Sequence, residues 1–136
     1  MEIVVEQAQR RVPVTVMQLH GELDASNFRD VIARAKELYA AGTRHLLLDL
    51  DGLSFISSAG LMALHSIALI MKGEKPPDPE HGWSAFHAVE RDLEGGKATN
   101  YKILNPQPAV SRSLEVTGFK TFLEVHTDLE TALASF

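Results

Sequence analysis

Two adjacent serines, Ser57 and Ser58, stand just before an apolar run that begins at Leu61. Serine is a favoured N-cap residue, because its hydroxyl oxygen accepts a hydrogen bond from a backbone N–H of the first helical turn. A helix start also carries free N–H groups and the positive end of the helix dipole, which together tolerate a phosphate group. The residues therefore fit a plain helix cap or a phosphate-accepting hydroxyl, and taken alone they favour the cap.

Other familiar chemistries have no motif in this sequence. The six histidines show neither His-Glu-x-x-His nor another paired short spacing, so we do not expect a metal site. There is no Gly-x-Ser-x-Gly elbow and no P-loop motif, which argues against an α/β-hydrolase and a P-loop protein. Nothing in the spacing supports a triad of Asp51, His65 and Ser58. We expect no catalytic residue, no metal and no cofactor.

Length and composition predict one globular domain. The chain has 136 residues, of which 45% are hydrophobic, and this is sufficient for a single core. It has no cysteine, which excludes disulfides and thiolate metal sites. A net charge of −5 argues against nucleic acid as a partner, because phosphate binding favours a basic surface.

The apolar stretches do not predict a membrane protein. The longest of them, Leu61–Met71, is too short to span a bilayer. The first residues lack the basic start of a signal peptide. A cytoplasmic protein without a membrane partner is the simplest interpretation.

Strand and helix patterns alternate along the chain. Ile3–Glu6 and Val12–Leu19 predict a hairpin of two strands. Further strands are predicted at Arg44–Leu50, Tyr101–Leu104 and Phe122–Val125. Helices are predicted to begin at Ser26 or Asn27, at Ser58, at Asn105-Pro106 and at Thr127-Asp128. This order predicts an α/β fold with a mixed, mostly parallel five-strand sheet and about four helices.

The helix predicted over Ser58–Lys72 is apolar on nearly all sides. Leu61, Leu64, Ala68 and Met71 form a stripe at helical spacing that should face the sheet. Met62 and Leu69 fall on other sides. Two explanations stay open: a later segment of the chain covers these residues, or they form a partner surface beside Ser58.

The segment from about Gly73 to Thr99 is predicted to be an insertion into this single domain, which spans residues 1–136. Lys75-Pro76-Pro77-Asp78-Pro79 excludes regular helix and sheet. Trp83 and Phe86 lie on a weak helical stripe further along. They are expected to pack on the body of the protein, because buried aromatics usually belong to a core.

Three motifs together resemble the signature of the STAS domain family, named for sulfate transporters and anti-sigma factor antagonists. The run from Asp49 to Leu61, Asp-Leu-Asp-Gly-Leu-Ser-Phe-Ile-Ser-Ser-Ala-Gly-Leu, is similar to the family's central motif. Gly21-Glu22-Leu23-Asp24 resembles its earlier motif, and Thr117-Gly118-Phe119 resembles its late helix end. The resemblance implies a STAS-like α/β domain and covers most of the chain outside the predicted insertion.

The resemblance places the family's phosphorylated serine at Ser58, with Ser57 as the alternative acceptor. Typical phosphorylated members carry aspartate just before the acceptor, where this sequence has Ser57. That exchange removes a fixed negative charge and adds a second hydroxyl. It leaves open both kinase recognition and the choice between the two serines.

Asp24, Asp49, Ser57 and Gly60 are the positions that the resemblance places near this site. The two carboxylates would shape the approach of a kinase or hydrogen-bond loop N–H groups. The plain alternative for Asp24 is a turn or cap residue, which is slightly favoured. For Asp49 it is a strand-end residue held by backbone N–H groups, and the two interpretations are balanced.

The function that the resemblance implies is that of an anti-sigma factor antagonist that switches partners and is not an enzyme. Unphosphorylated, it would bind an anti-sigma factor with serine kinase activity through Ser58, Met62 and Leu69. Phosphorylation of Ser58 would release that partner until a serine phosphatase restores the hydroxyl. The alternative is a STAS sensory or scaffold module in a signalling assembly, without phosphorylation. An unrecognised enzyme is a third hypothesis, which no motif favours.

Overall fold

The computed structural model describes residues 1–74 and 98–136. The elements of these residues are β1 (Glu2–Gln9), β2 (Pro13–Leu23), α1 (Phe28–Ala40), β3 (Leu46–Asp49), β4 (Leu53–Ile56), α2 (Ser58–Met71), β5 (Tyr101–Leu104), α3 (Pro108–Val116), a 3-10 turn (Phe119–Thr121), β6 (Val125–His126) and α4 (Leu129–Ala134). The predicted α/β class, with a mostly parallel sheet and four helices, is confirmed.

The six strands of these residues form one sheet in the order β1-β2-β3-β5-β6, with β4 beside β2. β1 is antiparallel to β2, and every other pairing is parallel. The long strand β2 pairs with β3 at Thr15–Gln18 and then with β4 from Gly21 to Leu23. The register shifts after Gly21, whose φ of +111° lies in the left-handed region that favours glycine. One strand thus holds two successive partners.

The strand that the sequence does not predict is β4. It has four residues, and Ser54 and Phe55 are both exposed, so neither an apolar run nor a strict alternation marks it. Its pairing with the far end of β2 depends on residues more than 30 positions away. The five-strand prediction is therefore corrected to six.

Two predicted boundaries are also corrected. Helix α3 begins at Pro108 with Gln107 as N-cap, and not at Asn105-Pro106, because Asn105 adopts a left-handed φ of 49°. The last strand is Val125–His126 and not Phe122–Val125, because Phe122 ends a 3-10 turn.

The strand residues divide cleanly between the two faces of the sheet. The first, here called the major face, includes Met17, Leu19, Leu46, Leu48, Tyr101 and Ile103, which share a core with α1, α2, α3 and the 3-10 turn. The second, the minor face, includes Val14, Val16, Leu47 and Leu104, which pack on Ala132 and Leu133 of α4. This alternation follows from the two-residue period of a strand.

Helix α2 is buried along most of its length. The stripe predicted to face the sheet, at Leu61, Leu64, Ala68 and Met71, belongs to the major-face core. Leu69 is also buried, with 3% of its surface exposed. The expectation that Leu69 contributes to a docking surface is therefore corrected. Met62 is partly buried and packs against the same core.

The predicted insertion, Gly73–Thr99, lies mostly outside the described residues, since 75–97 are not among them. One hydrogen bond joins the described residues on its two sides, and a second ties the later side to the segment that follows α3. Asn100 Nδ2 donates to the carbonyl of Met71 at 2.8 Å, and Ala98 N donates to the carbonyl of Phe122 at 2.8 Å. The insertion itself stays a prediction.

Candidate site at the start of helix α2

Ser57 joins β4 to α2 and is the N-cap of the helix. Its N–H donates to the Leu23 carbonyl of β2 at 2.9 Å, so it continues the pairing of Leu23 with Ile56. Its backbone is extended, with φ −92° and ψ 178°, and its Oγ accepts from Gly60 N at 3.3 Å. The Ser57 hydroxyl is thus occupied in starting the helix.

Ser58 is the first residue of α2 and is exposed. The helix predicted to begin at Ser58 does begin there, and the cap that the two serines suggested is supplied by Ser57. No hydrogen bond of the Ser58 hydroxyl is found within 1–74 and 98–136. The two serines therefore divide their roles: Ser57 fixes the helix start, and Ser58 presents a hydroxyl to solvent.

The first turn of α2 is suited to an anion. Gly60 N donates to Ser57 Oγ, and Leu61 N donates to the Ser57 carbonyl at 2.9 Å. The N–H groups of Ser58 and Ala59 precede the first intrahelical bonds, so the helix itself offers them no acceptor. With the positive end of the helix dipole they favour negative charge beside Ser58.

Gly60 is required by the close approach of α2 to the sheet. A Cβ atom at this position would lie 2.7 Å from Ile56 Cγ1 and 2.9 Å from the Leu23 carbonyl oxygen. Real side chains do not approach that closely, and the backbone oxygen cannot rotate away. Gly60 thus sets the position of the helix start that carries Ser58.

Asp24 lies one residue beyond the Leu23–Ile56 pair and shapes the loop that leads to α1. Its Oδ1 accepts from Ser26 Oγ at 2.6 Å and from Ser26 N at 2.9 Å. The bond from the Ser26 hydroxyl, and after it the bond from the Ser26 N–H, hold the pKa of the Asp24 carboxyl below its ordinary value. The carboxylate has the geometry of the turn residue that the sequence analysis slightly favours.

Asp49 is not brought to the groove beside Ser58. Its Oδ1 accepts from Asp51 N at 3.0 Å, which is the strand-end role. It lines a groove of the minor face with Val16, Gln18 and Leu133, beside α4. Of the near-site residues that the sequence analysis named, Ser57 and Gly60 surround Ser58 and Asp24 adjoins Ser57 through β2, whereas Asp49 belongs to the other face.

An open groove runs from the start of α2 to α3. One wall is Phe55, Ile56, Ser57, Ser58 and Leu61, and the other is Ala109, Arg112, Ser113, Val116 and Thr117. Phe55 is 48% exposed and Val116 is 78% exposed, which is unusual for such large apolar side chains. We call this surface the Ser58 groove.

Sequence reasoning missed the α3 wall of the Ser58 groove. Ala109, Arg112, Ser113 and Val116 follow helical spacing of three and four residues, so they form one stripe. The opposite stripe, Val110 and Leu114, enters the major-face core. The helical period alone shows both stripes. Only the fold shows that the stripe with Arg112 lies next to Ser58.

The arrangement defines a small α/β domain whose polar site is a helix start beside an apolar groove. The model of the STAS domain family matches residues 5–72, which is half of the chain. The chain therefore belongs to the STAS domain family, as the motifs indicated. A comparison with curated protein sequences finds no match.

Solved structures of similar fold include anti-sigma factor antagonists. The unphosphorylated anti-sigma factor antagonist SpoIIAA is 20% identical, with a TM-score of 0.61, over 97% of this chain and 93% of that one. An anti-sigma factor antagonist from Mycobacterium paratuberculosis is 20% identical, with a TM-score of 0.62, over 98% and 93%. The phosphorylated form of the Bacillus cell fate determinant SpoIIAA is 17% identical, with a TM-score of 0.55, over 97% and 96%. At these identities the likeness concerns the fold.

The described residues hold neither a metal-binding cluster nor a membrane-spanning helix. They contain no group of three or more histidine, cysteine, aspartate or glutamate residues arranged to hold a metal ion. None of the helices found in 1–74 and 98–136 has the length and apolar character needed to cross a membrane.

Proposed function

We propose that this protein is a partner-switching regulator of the anti-sigma factor antagonist type, controlled by phosphorylation of Ser58. In its unphosphorylated form it binds an anti-sigma factor that has serine kinase activity. That kinase phosphorylates Ser58, and a serine phosphatase restores the hydroxyl. The protein is a substrate in this cycle, has no catalysis of its own, and acts in the cytoplasm.

The observation that carries the proposal is the division of roles between the two serines. Ser57 is held by hydrogen bonds to Leu23 and Gly60, whereas Ser58 is exposed at the first position of the helix. A kinase needs an accessible hydroxyl, and Ser58 supplies it without loss of the helix cap. The resemblance of the central motif to phosphorylated family members supports the same residue.

The Ser58 groove supports the proposal, because it offers a surface for a partner directly beside Ser58. Phe55 and Val116 offer exposed apolar area, and Ser58 lies on the same wall as Phe55. Met62, one helical turn from Ser58, is partly buried and extends this surface in the proposal. A partner seated here covers the Ser58 hydroxyl, so a modification of that hydroxyl acts directly on binding.

Phosphorylation is expected to act on the partner and not on the fold. A phosphoserine carries a charge of about −1.5 to −2. The helix dipole and the free N–H groups of the first turn offset that charge in the free protein. In a complex the phosphate is desolvated against apolar side chains, which costs several kcal/mol, and each 1.4 kcal/mol is roughly tenfold in affinity. We expect binding to weaken about a hundredfold or more.

The test is phosphorylation by a serine kinase from the same cell, read by intact mass and by partner affinity. Ser58→Asp should keep native circular dichroism and lose the partner, and Ser58→Ala should bind and resist the kinase. Ser57→Ala should remain a kinase substrate and lose about 1 kcal/mol of stability with its cap. If Ser57→Ala abolishes phosphorylation while Ser58→Ala does not, the acceptor is Ser57.

A second function is favoured by one observation, the serine at position 57. Phosphorylated members of the family typically carry aspartate there, so a chain with Ser57 also fits a STAS sensory or scaffold module that is not phosphorylated. The same experiment separates the two functions. If no co-occurring kinase transfers phosphate to either serine, the scaffold function replaces the switch.

A further inference from the structure

Among the described residues that line the Ser58 groove, Arg112 is the one with a charged side chain. Arg112 is exposed on α3, across the groove from Ser58. The hydroxyls beside it are bonded within their own helix, since Ser113 Oγ donates to the Ala109 carbonyl and Thr117 Oγ1 donates to the Ser113 carbonyl. The guanidinium is therefore the polar group of this wall that is available to a ligand.

Arg112 also lacks a carboxylate partner in the part of the chain that the structure describes. The acidic residue of α3, Glu115, stands three positions away, at a spacing that allows a helical ion pair. Glu115 instead lies 3.9 Å from Lys120 of the 3-10 turn. No ion pair or hydrogen bond of Arg112 occurs within residues 1–74 and 98–136.

We propose that Arg112 is the counter-charge that holds the phosphate once Ser58 is phosphorylated. This rests on the proposed function, because it needs the phosphate at Ser58. The planar guanidinium presents a fork of donors that matches two phosphate oxygens, and Arg112 lines the same groove as Ser58. The pairing changes no covalent bond.

The pairing has a direct consequence for the switch. An apolar groove with a single cation fits a partner segment that carries apolar side chains and a carboxylate. When the phosphate binds Arg112, that carboxylate meets a phosphate in place of a guanidinium. Phosphorylation then both adds negative charge to the groove and removes the cation that the partner uses.

The test uses the full chain with phosphoserine installed at position 58 during synthesis, without any kinase. The second ionisation of the phosphate, near pH 6 in a free phosphoserine, is followed by phosphorus NMR at low salt. A nearby cation stabilises the dianion and lowers this pKa. We expect Arg112→Gln to raise the phosphate pKa by about 0.5 unit, the size of one exposed ion pair.

Arg11→Gln is the matched control. It removes the same charge from the β1–β2 turn, at the opposite end of β2, and Arg11 is also exposed. It should leave the phosphate pKa where it is in the parent phosphoprotein. Arg112→Lys keeps the charge without the fork and should fall between the parent and Arg112→Gln. It also serves as the reporting variant if Arg112→Gln fails to fold.

Each outcome decides the role of Arg112 independently of the kinase. Equal phosphate pKa values in the parent and in both Arg112 variants overturn the pairing. An equal rise of the phosphate pKa in Arg112→Gln and in Arg11→Gln also overturns it. Such a result would show that the phosphate responds to the net charge of the protein and not to a specific pair. A failure of every kinase to modify Ser58 would refute the proposed switch without changing this titration, so the two failures are distinguishable.

Discussion

The two faces of the sheet are covered very differently. Three helices and the 3-10 turn pack on the major face, whereas among the described residues the minor face is covered by the six-residue helix α4 and the apolar residues beside it. The difference extends to polar groups. The major face buries His65 against Phe119, and the minor face buries Lys102, 3% exposed, with Glu124 and Ser135 around it.

We therefore expect polar substitutions to destabilise the protein strongly on the major face and only weakly on the minor face. Leu48 on the major face lies within a thick apolar core, where nothing can solvate a new polar group. Lys102 on the minor face donates to the Ser135 carbonyl and Ser135 Oγ at 2.9 Å each, and lies 3.2 Å from a Glu124 oxygen. The proposed site belongs to the major face, because α2 carries Ser58 at one end and core residues along the rest.

The largest expected effect is on the major face. Leu48→Asp should abolish cooperative unfolding, because it buries an unpaired charge in a fully enclosed position. Leu48→Ala is the milder matched variant and should lose about 2–5 kcal/mol. The measurement is urea denaturation followed by circular dichroism. A cooperative Leu48→Asp protein would mean that the major face is not the closed core described above.

The next effect is a pH dependence that also originates on the major face. Burial lowers the pKa of His65 from 6.5 to about 4. The unfolded chain thus takes up a proton below pH 6.5 while the folded protein does not, so stability falls as the pH decreases from about 6.5 to about 4. The loss should be about 3 kcal/mol in total, and none is expected above pH 6.5.

The variant His65→Leu should remove most of this pH dependence, as measured by urea midpoints across the same range. His126→Gln is the control, because it removes an imidazole from the minor face and should leave the dependence in place. A parent protein equally stable at pH 4.5 and pH 7 would contradict the assignment to His65.

A smaller effect is expected for the buried cation of the minor face. Lys102→Met keeps an apolar side chain and removes the ammonium group, which donates to Ser135 and lies 4.8 Å from the centroid of the Phe136 ring. Glu124 is 36% exposed in its side chain, so water can solvate it after the change. We expect a net loss of about 1 kcal/mol, because the loss of the hydrogen bonds of the ammonium is largely offset by removal of the cost of burying its charge. A loss as large as that of Leu48→Ala would show that the two faces do not differ as proposed.

The smallest effect is expected at the exposed rim of the minor face. Arg10 and Glu130 tie the β1–β2 turn to α4 through two hydrogen bonds of 2.9 and 3.0 Å. Both groups are exposed, so water and salt screen the pair. Glu130→Gln should change the thermal midpoint little at low salt and not measurably at high salt. A large, salt-independent shift would give the Arg10–Glu130 pair a stabilising role that its exposure to solvent does not support.

Much of the fold follows from short-range pattern. Leu46–Leu48 is an apolar run, the stripe of α2 has helical spacing, and the strands alternate with helices, so the α/β class and the position of the serines were predictable. Which of the two serines caps the helix was not predictable, because hydrogen bonding to Leu23 decides which serine ends the strand. Residue type alone does not contain that pairing.

The remaining errors concern contacts between distant parts of the chain. Leu69 looked like a surface residue by its helical angle, but it belongs to the major-face core. Asp49 is close to Ser58 in sequence, yet the alternation of β3 turns it to the minor face. The α3 wall of the Ser58 groove is about 50 residues away in sequence. Helical and strand periods show which residues share a face and not which element that face meets.

The succession of partners along β2 has a consequence for the thermodynamics of recognition. Gly21 N donates to the Gly52 carbonyl at 2.9 Å, Ser54 Oγ donates to the Gly21 carbonyl at 3.0 Å, and Ser57 N donates to Leu23 at 2.9 Å. These bonds join the β4 wall of the groove to the same strand that carries the centre of the sheet. A surface ordered in advance loses little conformational entropy when a partner arrives, so more of the contact energy is expressed as affinity.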